Sequence, residues 1–421
     1  MRREKLMRIT LSGWKMLFMV CAGILNVKDT VAQTLLEVPT YSFIDQSKNH
    51  LVNDTALKNF FQKMDELKKG ARNQVVIVQM GDSHIQADFF SSVLRENFQR
   101  QFGNAGRGLI FPYKVAGTNG PWNYHASSFS KWQSKRNVFP ADSLPIGVCG
   151  ITIKTKEPLA SINFSIADDT ELNYSFNKIT LFADKSCNSF DYAIRNPDHK
   201  IVGFINSADN SADSVYTSVQ LADTLHEFSL QTVKTDSSRL YGMIYGLSLE
   251  NSQPGVLYHT LGVNGAMFFH YNVSKYFVEQ LSSLHPDLII ISLGTNEAYS
   301  KDYTSENLKS QMNELITALK ERNPQANFLL TSPPDGYRYH RYKNPSVAKA
   351  VETERKYALE HDLAFWDFYH LMGGYGSIYR WKQNGLAQHD RLHLTKQGYF
   401  IEGKMLFNAM MEAYLNRKTE N

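Results

Sequence analysis

Cysteine is scarce, with three in 421 residues. That excludes a disulfide-stapled scaffold, and no Cys or His spacing resembles a zinc site. No glycine-rich phosphate loop is present, so nothing points to a bound nucleotide, and no other motif asks for a cofactor. No internal repeat or low-complexity tract interrupts the chain. Long apolar runs are missing as well: the most apolar N-terminal stretch, 16–27, is shorter than the roughly 20 residues that cross a bilayer. An excess of charge is absent once the first residues are set aside. Residues 1–32 hold six of the 45 Lys/Arg and two of the 41 Asp/Glu, leaving 39 of each sign beyond them. A chain that balanced offers no electrostatic surface for nucleic acid.

The N-terminus explains the basic bias. Arg2, Arg3, Lys5 and Arg8 precede the apolar stretch, and Thr30-Val31-Ala32 offers a small residue before a cut ahead of Gln33. This is the layout of a signal peptide, and it predicts an exported, periplasmic protein; an uncleaved signal would instead tether the chain to the membrane. Cys21 would leave with the signal. Cys149 and Cys187 would remain, free to pair in an oxidising compartment only if the fold brings them together. Aromatic content is high, with 22 Tyr and 25 Phe.

The chain is organised around Val75-Val76-Ile77-Val78-Gln79-Met80-Gly81-Asp82-Ser83-His84. An apolar run stops at Gly-Asp-Ser, and an amphipathic helix is expected from about 86 to 102. That is the opening βα unit of a parallel sheet. Gly81 suits so tight a joint through its backbone freedom. Ser83 would then lie at a strand's carboxyl end and a helix's amino end, where N–H groups and the helix dipole favour developing negative charge. A helix cap made by Asp82 or Ser83 is the plainer alternative.

Residues 33–74 form a lead-in with one helix at about 56–69. The segment 109–124 reads as irregular surface chain. From about 122 to 251, short β-type runs alternate with Ser/Asn/Asp turns, which indicates an antiparallel sandwich large enough for its own core. The α/β rhythm returns with strands at 256–261, 287–293, 327–331 and 363–368, helices among them, and a last helix at 396–415. The run 287–293 shows no polar alternation and should be buried on both faces.

Three of these later stretches end in reactive chemistry. The strand 256–261 leads to Gly262-Val263-Asn264-Gly265, and 287–293 leads to Gly294-Thr295-Asn296-Glu297. Ligands gather at strand carboxyl ends, so Ser83, Gly265 and Asn296 should meet there. The Ser83 and Gly265 N–H groups and the Asn296 amide could then stabilise an acyl-transfer oxyanion. Asp390-Arg391-Leu392-His393, just before the last helix, supplies a base and the carboxylate to orient it. Each piece alone is an ordinary turn; the ordered set is not.

As a set, Gly81-Asp82-Ser83, Gly265, Gly294-x-Asn296 and Asp390-x-x-His393 resemble the four blocks of the SGNH/GDSL hydrolases. The resemblance covers roughly 75–120 and 255–415 and implies Ser83 as nucleophile, His393 as base and Asp390 as its orienting partner. Gly265 and Asn296 would complete the oxyanion hole with Ser83. Two positions depart from the common pattern: His84 stands in place of Leu, and Glu297 in place of Asp. The longer block Gly81-Asp82-Ser83-His84-Ile85-Gln86-Ala87-Asp88-Phe89-Phe90, with Phe102-Gly103-Asn104 and the inserted sandwich, is similar to exported peptidoglycan O-acetylesterases. In those, a carbohydrate-binding-module-like jelly roll interrupts the catalytic domain.

The expected fold class is therefore α/β: a three-layer α/β/α, flavodoxin-like parallel sheet of five strands with an inserted antiparallel jelly-roll sandwich. The expected division is 1–32 signal, 33–121 and 252–421 hydrolase, and 122–251 insertion. The expected activity is removal of O-acetyl groups from peptidoglycan or another polysaccharide through an acetyl-enzyme, without metal or cofactor. A lipase or thioesterase of the same fold and a non-catalytic glycan binder are the alternatives. His84, Arg107 and Trp122 are candidates to border the cleft, with packing or ordinary surface roles as the competing reading. The basic-aromatic run 337–342 could stack on a sugar or meet an anionic group, or simply be a solvated loop.

Overall fold

A strand with apolar side chains pointing both ways must be covered on both faces, and the run that organises this chain is. In the computed structural model, which describes residues 35–139, 144–167, 172–207 and 215–417, Val75 and Ile77 of the strand Gln74–Gly81 enter one core. Val76, Val78 and Met80 enter the other. The first core is closed by the helices Lys58–Lys68, Phe89–Phe102 and Lys396–Asn416. The second is closed by Ser305–Arg322 and Pro345–Glu360, and by residues of two antiparallel sheets.

The central sheet has six strands, in the order Leu51–Val52, Ala364–Trp366, Asn327–Thr331, Leu288–Ser292, Gln74–Gly81, Gly255–Gly262. The five predicted strands are all parallel. The sixth, a two-residue edge strand, runs antiparallel to Ala364–Trp366, and its length is too short for any periodic signal. Gln74–Gly81 has the next strand of this sheet in chain order on one side and the one after that on the other, so strand order reverses at its carboxyl end. Ser83 sits at that switch.

The described residues between 124 and 250 build two further sheets. One runs Ile201–Ile205, Asp191–Arg195, Glu227–Val233, Ser161–Ile166, Tyr124–Ser127. The other runs Thr217–Leu225, Phe176–Ala183, Gly242–Glu250, Ile151–Thr155, Gln133–Arg136. Phe164 and Phe228 of the first stack at 5.0 Å, and Phe228 meets Phe176 of the second edge-on at 5.4 Å. Their core is not closed on itself, because Leu247 and Ile151 share one apolar cluster with Leu257 and Ile289 of the central sheet.

Several expectations are corrected. The segment after residue 108 is not surface chain: Gly108–Ile110 is a strand paired with Gly242–Glu250, and Leu109, Ile110 and Phe111 are buried. The helix expected from about 86 begins at Phe89 and runs to Phe102, preceded by a separate single turn Ser83–Gln86, with Asp88 between them at φ +59°. After Gly265 the chain forms two short helices, Phe268–Asn272 and Phe277–Ser282. Gly81 is needed for space, not for an unusual angle: a Cβ there would lie 2.6 Å from the Ser292 carbonyl oxygen. Cys149, buried, and Cys187, exposed, are both free thiols, so they do not pair. The signal-like segment 1–32 lies outside the described residues. No helix among the described residues is long and apolar enough to cross a membrane.

Candidate active site

Four strand-end or loop segments converge where the strand order reverses. Ser83 Oγ lies 2.9 Å from His393 Nε2, and His393 Nδ1 lies 2.6 Å from Asp390 Oδ2. The Asp-x-x-His spacing works because the loop is a tight turn. Asp390 Oδ1 accepts from the Leu392 and His393 N–H groups at 3.0 and 3.1 Å, and Arg391 takes a left-handed φ of +55°. Burial would raise the Asp390 pKa, but the His393 ring and those two amides outweigh it and hold the carboxyl well below the usual range. The carboxylate therefore stays ionised and fixes the ring so that Nε2 faces the serine.

Ser83, Gly265, Asn296 and His393 line one cleft of about 460 Å³. Asp390 stands behind the histidine. The Ser83 and Gly265 N–H groups have no acceptor among the described residues. Asn296 differs: its Nδ2 donates to Asp82 Oδ2 and to the Ala266 carbonyl, both at 3.0 Å, so both amide hydrogens are engaged. Since the helix beginning at Ser83 is one turn long, its dipole adds little, and the N–H groups themselves carry the electrostatics.

The segments are held to one another by buried acids. Asp82 Oδ1 accepts from the His84 N–H at 2.9 Å. Burial, opposed by that N–H, the His393 charge, Thr295 and its own backbone N–H, pushes the Asp82 carboxyl up to about 6. Glu297 ties two loops, accepting from the Phe268 N–H at 2.7 Å and from the Gly294 N–H at 3.1 Å. Burial lifts its pKa to about 7. Gly294, at φ +104°, makes the turn that starts the short helix Thr295–Tyr299 and so aims Asn296. The Glu in place of Asp at 297 is therefore a brace between the Gly265 and Asn296 segments.

Of the three residues expected to border the cleft, none lines it. Arg107 is buried in an ion cluster, its Nη2 2.7 Å from Asp88 Oδ2 and its guanidinium 5.3 Å from the Tyr124 ring centre. Trp122 stacks on Phe89 at 6.4 Å, with Lys396 Nζ 3.9 Å from its ring centre. Phe89, not Trp122, faces the cleft. His84 is buried behind His393, ring centres 5.3 Å apart, with Nδ1 2.9 Å from the Tyr399 hydroxyl. Burial and the His393 charge push its pKa down to about 3, so it is neutral.

Other lining residues carried no sequence signal. Asn119 and Asn264 are joined side chain to side chain at 2.6 Å. Gln86 gathers both loops, donating to the Asn119 carbonyl at 2.5 Å and accepting from the Asn264 N–H at 2.6 Å. Only the position of Gln86, three residues after the serine, could have hinted at this.

A serine, a histidine and a carboxylate so connected, beside two free N–H donors at a switch point, define an ester hydrolase of the serine type. Residues 234–401 match the GDSL-like Lipase/Acylhydrolase family, and the chain carries a domain of that family. It is an esterase. The matched span holds Gly265, Asn296, Asp390 and His393, while Ser83 lies ahead of it, beyond the two antiparallel sheets. No curated protein matches the chain. The fold is shared with a solved peptidoglycan O-acetylesterase, at 20% identity and a TM-score of 0.72, over 87% of this chain and 99% of that one. A mutant of an acetylxylan esterase from Geobacillus stearothermophilus matches at 16% identity and a TM-score of 0.31, over 37% of this chain and 73% of that one. A GDSL-like lipase from Bacteroides thetaiotaomicron matches at 19% and 0.31, over 37% and 76%.

Proposed function

We propose that this protein removes O-acetyl groups from a cell-wall polysaccharide, peptidoglycan in the first instance, with Ser83 as nucleophile. The observation that carries the reading is the continuous chain from Ser83 Oγ through His393 to Asp390, opening on a cleft with the Ser83 and Gly265 N–H groups free. Ser83 gives its proton to His393 Nε2 as Oγ attacks the acetyl carbonyl carbon. The oxyanion is met by the two free N–H groups, and by Asn296 once one of its hydrogens turns from Asp82 or Ala266. His393 then protonates the departing sugar hydroxyl. Water, deprotonated by the same nitrogen, attacks the acetyl-enzyme, releasing acetate and restoring Ser83. Asp390 holds the Nδ1–H throughout.

An open cleft with Asn119, Asn264 and Gln388 on its walls suits a short acyl group on a polar alcohol better than a lipid chain. On the same footing we read the parallel sheet and its helices as a flavodoxin-like three-layer domain. A jelly-roll insertion over about 122–251 interrupts it, and residues 1–32 are its export signal to the periplasm. The fold shared with a peptidoglycan O-acetylesterase supports this arrangement. Acetate release from O-acetylated peptidoglycan tests the function. Ser83→Ala should lower it by roughly 10⁴-fold or more while leaving the protein folded. Release at the wild-type rate would rule the mechanism out.

A further inference from the structure

A two-stranded hairpin, Tyr337–Arg338 with Tyr342–Lys343, hangs between the two loops that carry the reactive groups. On one side the Tyr337 N–H donates to the Arg391 carbonyl at 2.8 Å, within the Asp390–His393 turn. On the other, the Tyr339 N–H donates to the Tyr299 hydroxyl at 3.0 Å, at the far end of the short helix that begins beside Asn296. The hairpin tip is unusual, since Tyr339 and His340 both take left-handed φ values, +52° and +58°, without being glycine. Tyr339 is 53% exposed, Tyr342 58%, and the neighbouring Tyr375 54%.

Each of these rings is accompanied by a cation. Lys301 lies 5.9 Å from the Tyr339 ring centre, Arg341 5.5 Å from Tyr342, and Lys343 5.2 Å from Tyr375. Among the described residues Lys301, Arg341 and Lys343 form no ion pair. Held against a cation, and in Tyr339 also against the Tyr299 ring at 5.9 Å, these tyrosines keep exposed faces, each residue more than half open to solvent. Pyranose rings stack on such faces, and unpaired cations beside them suit carboxylates. A patch that served only solubility would have no reason to join both halves of the site.

The geometry points to this surface as an extended subsite for a carboxylate-bearing glycan strand, holding the sugars and acidic substituents that flank the acetylated residue. The inference rests on the esterase reading for its substrate, and it is tested separately from turnover. In the Ser83→Ala background, titration calorimetry with soluble peptidoglycan strands measures binding without hydrolysis. Arg341→Ala with Lys343→Ala should raise the Kd roughly five- to tenfold, and Tyr339→Ala with Tyr375→Ala by a similar factor. Raising the salt concentration should weaken the parent and leave the charge variant nearly flat. In the active enzyme, the ratio of kcat/KM on peptidoglycan to that on 4-nitrophenyl acetate should fall with the same variants. The same Kd for all variants would overturn the subsite even where acetate release stands. Binding to anionic lipid vesicles lost in the variants, with the strand Kd unchanged, would also overturn it and assign the patch to a membrane surface. Loss of strand binding in the variants of an enzyme that releases no acetate would keep the subsite and remove the esterase reading instead.

Discussion

Asp82 and Asp88 stand six residues apart on one strand-to-helix joint, both out of solvent, and the fold treats them in opposite ways. Asp88 lies in the seam between the helix Phe89–Phe102 and the chain leading into the antiparallel sheets. It is clamped by Arg95 at 2.8 Å and Arg107 at 2.7 Å, with Asn123 and Ser91 donating as well. Burial works against its charge, but the two guanidinium groups prevail and hold the carboxyl at about 2. Asp82, next to Ser83 in the chain, meets only neutral donors and is pushed the other way. Ion pairing of the buried carboxylate is placed where two parts of the molecule join and where Asp88 itself adopts a left-handed φ. The floor of the cleft offers Asp82 only neutral donors, one of them the Asn296 amide that an oxyanion would also use.

The largest effect should come from breaking the clamp. Asp88→Ala would leave Arg95 and Arg107 buried and unpaired, a loss of about 3–5 kcal/mol in unfolding free energy. Chemical denaturation at neutral pH measures it. Turnover of the fraction still folded should change far less, because neither arginine reaches the cleft. A loss below about 1 kcal/mol would mean that water solvates the cluster and that the contrast with Asp82 is not one of burial.

The pH dependence of stability separates the two aspartates without removing either. Asp88, depressed from its ordinary 3.8 to about 2, contributes stability that is complete above about pH 4 and is lost as pH falls through 2. Asp82, raised from 3.8 to about 6, acts in the opposite sense: the folded state prefers the protonated form, so stability declines as pH rises from about 4 to about 6. Glu297 extends that decline to about pH 7. Asp82→Asn should remove about 2–3 kcal/mol of the difference between pH 4 and pH 7, on top of a uniform cost for the acceptor it disrupts. Denaturation midpoints at pH 4.5 and 7.5 give the slope, and an unchanged slope would show that Asp82 is already solvated.

The strand ends were legible because their signal is local. An apolar run such as 75–80 or 287–293 that stops at glycine and a small polar residue marks both an element and its end, and Ser83 and Asn296 follow those ends. The last helix was equally plain from its periodic apolar face. The buried polar seam was not. Arg107 reads as a surface residue because its partners, Asp88 and Asn123, are 19 and 16 positions away and no period relates them. Thr217–Leu225 is largely exposed, so its polar sequence carries no strand pattern. Gly108–Ile110 is too short to show one. Asn296 was identified by position, but its engagement with Asp82 and Ala266 depends on contacts 214 and 30 positions away.

The smallest effect concerns His84, which differs from the leucine of the pattern the sequence resembles and touches the Asp82 half of the comparison. Its backbone N–H holds Asp82, while its ring lies between His393 and Tyr399. A leucine keeps the N–H but removes the acceptor for the buried Tyr399 hydroxyl, a loss of about 1–3 kcal/mol. Part of this is offset, because His84 Nε2 is itself buried without a partner and leucine has no such atom. The net change for His84→Leu should be about 1 kcal/mol in stability. Since the ring carries no proton of the reaction, kcat on a small acetyl ester should stay within severalfold of the parent at every pH. A displaced pH–rate profile in His84→Leu would instead show that the neutral ring beside His393 tunes the base, and that the cleft floor has an electrostatic role the Asp82–Asp88 contrast does not capture.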